Sequence, residues 1–160
     1  MRIVVLLLAV ASAAFGSVQD RTAKQPFRID ISAAAETVKV GSGVDITIVL
    51  KNVSAAPLSC SANISELTGQ DPNLQFDVRD NRGHLIPKRV YPHPELAQGN
   101  AILNCAIKPG KSRTDHQDIG RIYDMTRPGK YIVQVSRPIS YTDKKAGVVK
   151  SNKVTITVVR

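Results

Sequence analysis

Aromatic side chains are scarce in this sequence, which has no tryptophan and in which aromatic residues make up 4% of 160 positions. Nucleic-acid-binding surfaces usually combine basic charge with aromatic stacking platforms or a groove-reading helix. Glycoside hydrolysis usually needs paired carboxylates in a lined cleft. The composition therefore argues against nucleic acid as a partner and against a glycosidase.

Cysteine is equally scarce, since Cys60 and Cys105 are the only two in the chain. A closed zinc site needs four ligands, so this pair alone makes a weak metal site. In an exported protein a cysteine pair is more often bridged than free. The sequence therefore predicts a structural disulfide between Cys60 and Cys105, and it predicts no metal.

Recognisable catalytic motifs are missing as well. The sequence contains no Gly-x-Ser-x-Gly elbow, and the glycines at 41–43 are too few for a phosphate loop and lead into a strand. His116 has carboxylates beside it, but its stretch is polar and turn-like, which favours a solvated loop over a metal site or a general base. We expect a protein that is not an enzyme, with no catalytic residues and no cofactor.

The amino terminus, in contrast, has the layout of a secretory signal peptide. One positive charge precedes an apolar run at positions 3–10, and small residues follow that run. The run is far shorter than the ~20 residues that a membrane span needs. We expect a signal peptide at 1–16, with cleavage after Ala13 or Gly16, and a flexible segment at 17–26. The mature protein would be secreted or periplasmic, with no transmembrane segment.

Charge is distributed unevenly along a chain whose formal net charge is +9. Residues 1–80 contain seven basic and eight acidic residues, whereas residues 81–160 contain fifteen basic and five acidic residues. Such asymmetry indicates either a surface for an anionic partner or the solvated basic face of an exported protein. Both interpretations stay open at this point.

Alternating hydrophobicity dominates the rest of the chain, and turns rich in glycine, proline, asparagine and aspartate separate the alternating segments. A helical signal between Asp118 and Met125 predicts a single turn at a corner. The pattern predicts an all-β domain at 27–160, a single immunoglobulin-like antiparallel β-sandwich of about seven to nine strands. The predicted strands lie at 27–31, 38–40, 44–51, 74–79, 84–86, 103–107, 131–135 and 154–158.

A structural corner is predicted just before one of these strands. A Pro-Gly turn ending at Gly129 runs directly into an alternating strand that has Tyr131 near its start. In sandwich folds, a tyrosine entering a late strand often ties its hydroxyl back to the preceding corner. We therefore predict that Asp124, Gly129 and Tyr131 form such a corner.

A candidate partner-binding loop covers positions 88–96 and includes Lys88, Arg89, Tyr91 and His93. It is proline-rich and extended, and its tyrosine has no obvious strand in which to pack. Loops on a rigid sandwich are where such folds commonly bind partners. The alternative is a long crossover that packs across the edge of the sandwich.

Four segments, at positions 50–54, 76–83, 109–112 and 128–135, carry a resemblance to a known family. Their strand-and-turn signatures resemble the bacterial intracellular proteinase inhibitor family, and they are similar to a broader set of bacterial immunoglobulin-like domains of unknown role. The likeness covers roughly 27–159. It implies a small β-sandwich that blocks a serine protease by surface loops. The export signal and the cysteine pair depart from an intracellular inhibitor, and no inhibitory motif is present to transfer.

Together these patterns predict an exported, non-enzymatic domain that binds a protein or another envelope macromolecule, through surface loops or a sheet edge. The partner would be anionic if the basic half forms its contact surface. Two alternatives remain: a proteinase inhibitor that acts through surface loops, and a structural component of the envelope. The oligomeric state is left open.

Overall fold

The computed structural model describes residues 25–59, 62–65, 71, 73–90, 99–103, 105–140 and 142–160. The predicted signal peptide and nearly all of the predicted flexible segment lie outside these residues, as do Cys60, Tyr91 and His93. Within the described residues, no helix is long and apolar enough to cross a membrane.

The described residues form eleven β-strands and two single turns of 3-10 helix, at Ile119–Arg121 and Lys144–Ala146. The first of these turns lies where the sequence predicts a helical turn at a corner. The strands in chain order are β1 (Phe27–Ala33), β2 (Thr37–Lys39), β3 (Asp45–Asn52), β4 (Leu58–Ser59), β5 (Ala62–Ser65), β6 (Gln75–Asp80), β7 (Gly99–Leu103), β8 (Ala106–Ile107), β9 (Ser112–Asp118), β10 (Gly129–Pro138) and β11 (Val148–Val159).

Seven of these strands form two main sheets. Sheet I has the order β1-β3-β9 and is antiparallel throughout. Sheet II has the order β2-β11-β10-β6 and is antiparallel except that β2 runs parallel to β11. The remaining four strands pair as two short ribbons, β4 with β8 and β5 with β7.

The inner faces of the two sheets meet in one apolar core, because every second residue of a strand faces the same side. Burying one such aliphatic side chain contributes roughly 1.5–3 kcal/mol. The predicted all-β, immunoglobulin-like sandwich is therefore confirmed. The buried apolar strand residues are Phe27, Ile29, Ile31, Ile46, Ile48, Leu50, Val78, Ile107, Tyr131, Val133, Val135, Val149, Ile156 and Val158.

The chain changes sheets near its start, which closes one edge of the sandwich. β1 pairs with β3 as far as Ala33, and β2 pairs with β11 from Thr37 onward. Asn152 of β11 then links the two layers, since its Nδ2 donates to Ile31 O (2.9 Å) and its Oδ1 accepts from Ile31 N (2.8 Å). The side-chain amide thus satisfies backbone groups at the edge of β1 that would otherwise need another partner.

A β-bulge interrupts the pairing of β10 with β11. The register shifts between Gln134 and Ser136, which lie opposite Lys153 and Lys150 respectively. Ser151 lies in the bulge, where its hydroxyl accepts a hydrogen bond from a β10 amide at 2.9 Å. Residues three apart in a regular strand face opposite sides, but an inserted residue restores a common side. The bulge therefore puts both lysines on the outer face of sheet II.

Asn52 closes the junction between sheet I and the ribbons, which continue from β3 and lead back into β9. Its side chain is fully buried, and its Nδ2 donates to the carbonyl oxygens of Ala56 and Ile107, both at 2.8 Å. Its Oδ1 accepts from the amide and the hydroxyl of Ser54, at 2.9 and 2.8 Å. A buried amide whose groups are all bonded fixes the chain around it.

Candidate functional site

The predicted corner residues lie together at the start of β10. Tyr131 Oη donates to Arg127 O at 2.6 Å, four residues earlier, and burial raises the pKa of Tyr131. The Thr126 hydroxyl donates to Asp124 at 2.6 Å, which holds the pKa of that carboxyl below its usual range. Gly129 opens β10 with a φ of 157°. The Tyr131 hydroxyl and the Asp124 carboxylate are both bonded to residues of the corner itself. These bonds fix the segment that leads into β10.

Tyr123 is a second tie that sequence reasoning missed. Its side chain is buried, its Oη donates to Phe76 O at 2.9 Å, and burial raises the pKa of Tyr123 to about 12. This bond joins the segment before β10 to β6. The sequence does contain a signal for the burial of Tyr123, because Ile119, Ile122 and Tyr123 share one face of the predicted turn. The structure buries all three side chains.

The first part of the candidate loop is anchored to the same segment. Lys88 forms a backbone bridge with Tyr123. The side chain of Arg89 donates through Nε to the carbonyl oxygens of Gly120 (2.8 Å) and Tyr123 (3.2 Å). Carbonyl groups at the end of a helical turn need such donors. Arg89 therefore acts as a structural tie, and because Tyr91 and His93 lie outside the described residues, the loop stays a predicted binding site.

Cys105 is half-buried beside β8, and Arg113 Nη1 donates to its Sγ at 3.0 Å. Cys60 lies outside the described residues, so the bridge between the two cysteines stays a prediction. The ribbon pairs on either side of position 60 follow one register, namely Ser59 with Ala106 and Ala62 with Leu103.

His116 lies exposed on the outer face of sheet I, where its Nδ1 is 3.3 Å from the Thr47 hydroxyl. The nearby carboxylate of Asp118 is already engaged, because its Oδ1 accepts from the amides of Val44 and Gly120, both at 2.9 Å. Across the described part of the chain, no group of three histidine, cysteine or acidic residues is placed to hold a metal ion.

The outer face of sheet I carries balanced charge. Arg28 and Asp30 form an exposed ion pair at 3.4 Å on β1. On β3, Asp45 and Lys51 also face outward, one acidic and one basic. The strands of this face carry carboxylates at least as numerous as their fully charged cations, so a polyanion gains little from contact with them.

The outer face of sheet II is different, because four exposed lysines lie on it. We call this surface the lysine face: Lys39 on β2, Lys130 on β10, and Lys150 and Lys153 on β11. Within the described residues, no carboxylate forms an ion pair with any of the four. Among the strands of sheet II, the acidic residue that faces outward is Asp77, and it is paired with Arg79 at 2.7 Å.

A groove of about 470 Å³ lies beside β11 at the edge of the lysine face, and residues 31–33 of β1 also line it. It exists because β2 pairs only with the last residues of β11 and leaves the preceding part of that strand open. Its wall combines hydroxyl, ammonium and carboxylate groups. We call it the β11 groove, and its polar lining consists of Ser32, Glu36, Thr37, Lys130, Lys153, Thr155 and Thr157.

A second cleft, of about 520 Å³, lies between the turn after β6 and the corner before β10, and Lys130 lines both clefts. Its charges are mixed. His84 Nδ1 lies 3.1 Å from Asp80 Oδ2. Partial burial alone would raise the pKa of the Asp80 carboxyl, but hydrogen bonds from His84 and Arg82 outweigh it and hold that pKa below its usual value. The mixture makes this cleft less selective for one sign of charge than the lysine face.

Comparison with known proteins gives structural neighbours only. No family model and no curated protein matches the sequence. The CARDB domain of the PF1109 protein from Pyrococcus furiosus, solved with di-metal ions, is similar at 11% identity and a TM-score of 0.42, over 83% of this chain and 87% of that one.

Two larger enzymes contain a similar region. A β-glucosidase from Erythrobacter marinus matches at 14% identity and a TM-score of 0.44, over 83% of this chain and 15% of the enzyme. The alkylpurine DNA glycosylase AlkC from Pseudomonas fluorescens matches at 12% identity and a TM-score of 0.44, over 84% of this chain and 31% of the enzyme. Similarity this remote assigns no function, so the fold rests on the topology described above, and the resemblance to a proteinase inhibitor stays a prediction.

Proposed function

We propose that this protein is an exported β-sandwich domain that binds an anionic envelope macromolecule by its surface and catalyses no reaction. The observation that carries the proposal is the lysine face, where four exposed ammonium groups lie on one sheet without a carboxylate partner among the described residues. Unpaired surface cations of one sign create a field that attracts and steers anionic partners.

The use of polar groups elsewhere also supports a binding role. Asp118 holds two backbone amides, Tyr131 holds a backbone carbonyl, and Arg89 holds two carbonyl oxygens. Side chains engaged in this way rigidify the scaffold and are poorly placed to act on a substrate. A rigid sandwich with a charged outer face is suited to recognition by contact.

The predicted disulfide belongs to this proposal, because export would place the chain in an oxidising compartment. The pairs Ser59 with Ala106 and Ala62 with Leu103 follow the same register. If that register continued through position 60, Cys60 would be paired with Cys105. Directly opposed residues of an antiparallel pair have Cα atoms about 4.5–5.5 Å apart, within the range that a disulfide spans.

The test is capture from an envelope extract with the mature protein immobilised. We expect the double variant Lys130→Glu/Lys153→Glu to recover much less of the partner than the wild type. The matched control is Lys51→Glu/Lys108→Glu, which makes the same change in net charge away from the lysine face and should capture normally. Equal recovery by both double variants would refute the lysine face as the binding surface.

The predicted loop enters the same experiment as a separate arm. Tyr91→Ala removes its aromatic side chain without touching the tie made by Arg89. Selective loss of capture in this variant, with the lysine variants unaffected, would move the site to the loop. A parallel assay against trypsin-like and subtilisin-like proteases at micromolar protein addresses the alternative function, since loss of protease activity would replace the proposal with inhibition.

A further inference from the structure

We propose that the lysine face binds a linear anionic polysaccharide that lies along β11 and enters the β11 groove. This inference rests on the function proposed above and names the chemical class of its partner. It depends on the arrangement of the four lysines, on the charges beside them and on the groups that line the groove.

The lysines form a row. Lys150 and Lys153 belong to β11 itself, Lys130 lies opposite Thr157 of β11, and Lys39 lies beside the end of that strand. At ~3.3 Å per residue, the row from position 150 to position 159 is roughly 30 Å long. An extended polymer can therefore contact several ammonium groups at once, and linked contacts reinforce one another.

The row is narrow, which favours a chain over a plane. On the β6 side, Arg79 is neutralised by Asp77 at 2.7 Å. On the other side, the carboxylate of Glu36 borders the β11 groove. An anionic lipid surface would be attracted most by cations spread over the whole face, whereas here the lysines lie on β11 and on the parts of β10 and β2 that pair with it. A linear polyanion matches that shape.

The groove chemistry matches sugar units with acidic groups. Its walls include the hydroxyl groups of Thr37, Thr155 and Thr157 beside the ammonium groups of Lys130 and Lys153. A threonine hydroxyl both donates and accepts hydrogen bonds, as a sugar hydroxyl does, while an ammonium group donates to a carboxylate or a sulfate. The strands of sheet II place no aromatic side chain on this outer face, so nucleic-acid bases find no stacking platform there.

Glu36 supplies an internal check. Its carboxylate lies on the wall of the groove and repels an anionic chain that enters it. Glu36→Gln removes the charge and keeps the shape of the side chain. Under the proposal this variant binds the polysaccharide more tightly than the wild type, whereas an unrelated binding mode leaves the affinity unchanged.

In the experiment, the mature protein is titrated with polygalacturonate oligomers, and calorimetry measures the binding at two salt concentrations. We expect saturable binding that weakens with salt, and a loss of about tenfold or more in Lys130→Glu/Lys153→Glu because repulsion replaces attraction at two sites. Lys51→Glu/Lys108→Glu should change the affinity by less than about twofold, since screening limits long-range effects. Melting temperatures of both double variants check that each is folded.

Four results would overturn the inference. Three concern the ligand: no saturable binding of polygalacturonate, equal binding of neutral dextran, or tighter binding of a single-stranded oligothymidine of equal charge. The fourth is an equal loss of affinity in the two double variants, which would reduce the effect to net charge. If envelope capture depends on Lys130 and Lys153 while polygalacturonate does not bind, this inference fails and the proposed function stands. If neither assay depends on them, both fail.

Discussion

Sheet I and sheet II place aliphatic side chains on their inner faces in the same alternating way, but their outer faces differ in charge. Sheet I pairs Arg28 with Asp30 and also carries both Asp45 and Lys51 on its outer face, whereas the lysine face of sheet II has no carboxylate partner among the described residues. The inner pattern is what the fold requires, and either sheet could satisfy it with any outer residues. The difference therefore points to a role for the outside of sheet II that packing does not explain.

The two sheets also differ in how their ends are fixed. Sheet I ends at Asn52, a buried amide with four hydrogen bonds, and the ribbons extend from it. In sheet II, the start of β10 is held by one hydrogen bond, which the Tyr131 hydroxyl donates to Arg127 O at 2.6 Å. If the account is correct, damage to sheet I should cost more stability, while damage to the outer face of sheet II should cost binding.

The largest effect is expected from the predicted disulfide, whose ribbons are attached to sheet I. If Cys60 and Cys105 are bridged, reduction should lower the free energy of unfolding by up to ~4 kcal/mol, because the closed loop no longer restricts the unfolded chain. Hydrogen exchange should then rise in β3 and β9 before it rises in sheet II. Alkylation with mass measurement tests the bridge itself, and two thiols alkylated without reductant would contradict it.

The next effect comes from Asn52→Ala. The change removes the partners of two carbonyl oxygens and of the Ser54 amide in a buried site. Because these groups would stay buried without a hydrogen-bond partner, we expect the free energy of unfolding to fall by about 3 kcal/mol. Urea denaturation measures it, with the exposed turn variant Asn81→Ala as control. Equal stability of the two variants would show that Asn52 is not the anchor of sheet I.

A smaller effect is expected from Tyr131→Phe at the start of sheet II. The change removes one hydroxyl and one hydrogen bond to Arg127 O while the ring stays buried. We expect a loss of about 1 kcal/mol, since a typical net hydrogen bond contributes about that much. Denaturation of Tyr131→Phe beside Asn52→Ala compares the two anchors directly. A larger loss for the tyrosine variant would reverse the comparison.

The smallest effect at neutral pH involves Tyr123. Burial raises the pKa of Tyr123 in the folded protein from its ordinary value of 10.0 to about 12. A raised pKa means that the neutral phenol is favoured in the folded state, so this contribution to stability is complete below about pH 10 and is lost as pH rises through about 12. Ultraviolet titration should show one tyrosine ionising near pH 12, and Tyr123→Phe should abolish that step. A step that survives the substitution would assign the shift to another tyrosine.

Much of the fold was readable from the sequence, because alternation identifies inward residues without knowledge of the partner strand. Alternation within the predicted strands at 131–135 and 154–158 faces Val133 and Ile156 inward, and both are fully buried. The same rule faces Lys130 and Thr155 outward. Local pattern thus predicts the fold class and the outward direction of one of the four lysines.

The rest depends on pairing between distant segments, which no local pattern contains. Lys150 and Lys153 share a face only because the bulge opposite β10 inserts a residue. The β11 groove needs the parallel pairing of β2 with β11, across more than a hundred positions. Arg89 resembled a binding residue in an exposed loop, but its side chain reaches carbonyl groups of a segment about thirty positions later. Tertiary contacts set these features.

Amide chemical-shift mapping with polygalacturonate locates the bound polysaccharide on the protein. The largest shifts should fall on β11, on β10 near Lys130 and on residues 31–33 of β1 that line the β11 groove, while the amides of β3 and β9 stay unchanged. Shifts centred on sheet I, or on residues 88–90 with sheet II unaffected, would contradict the proposal.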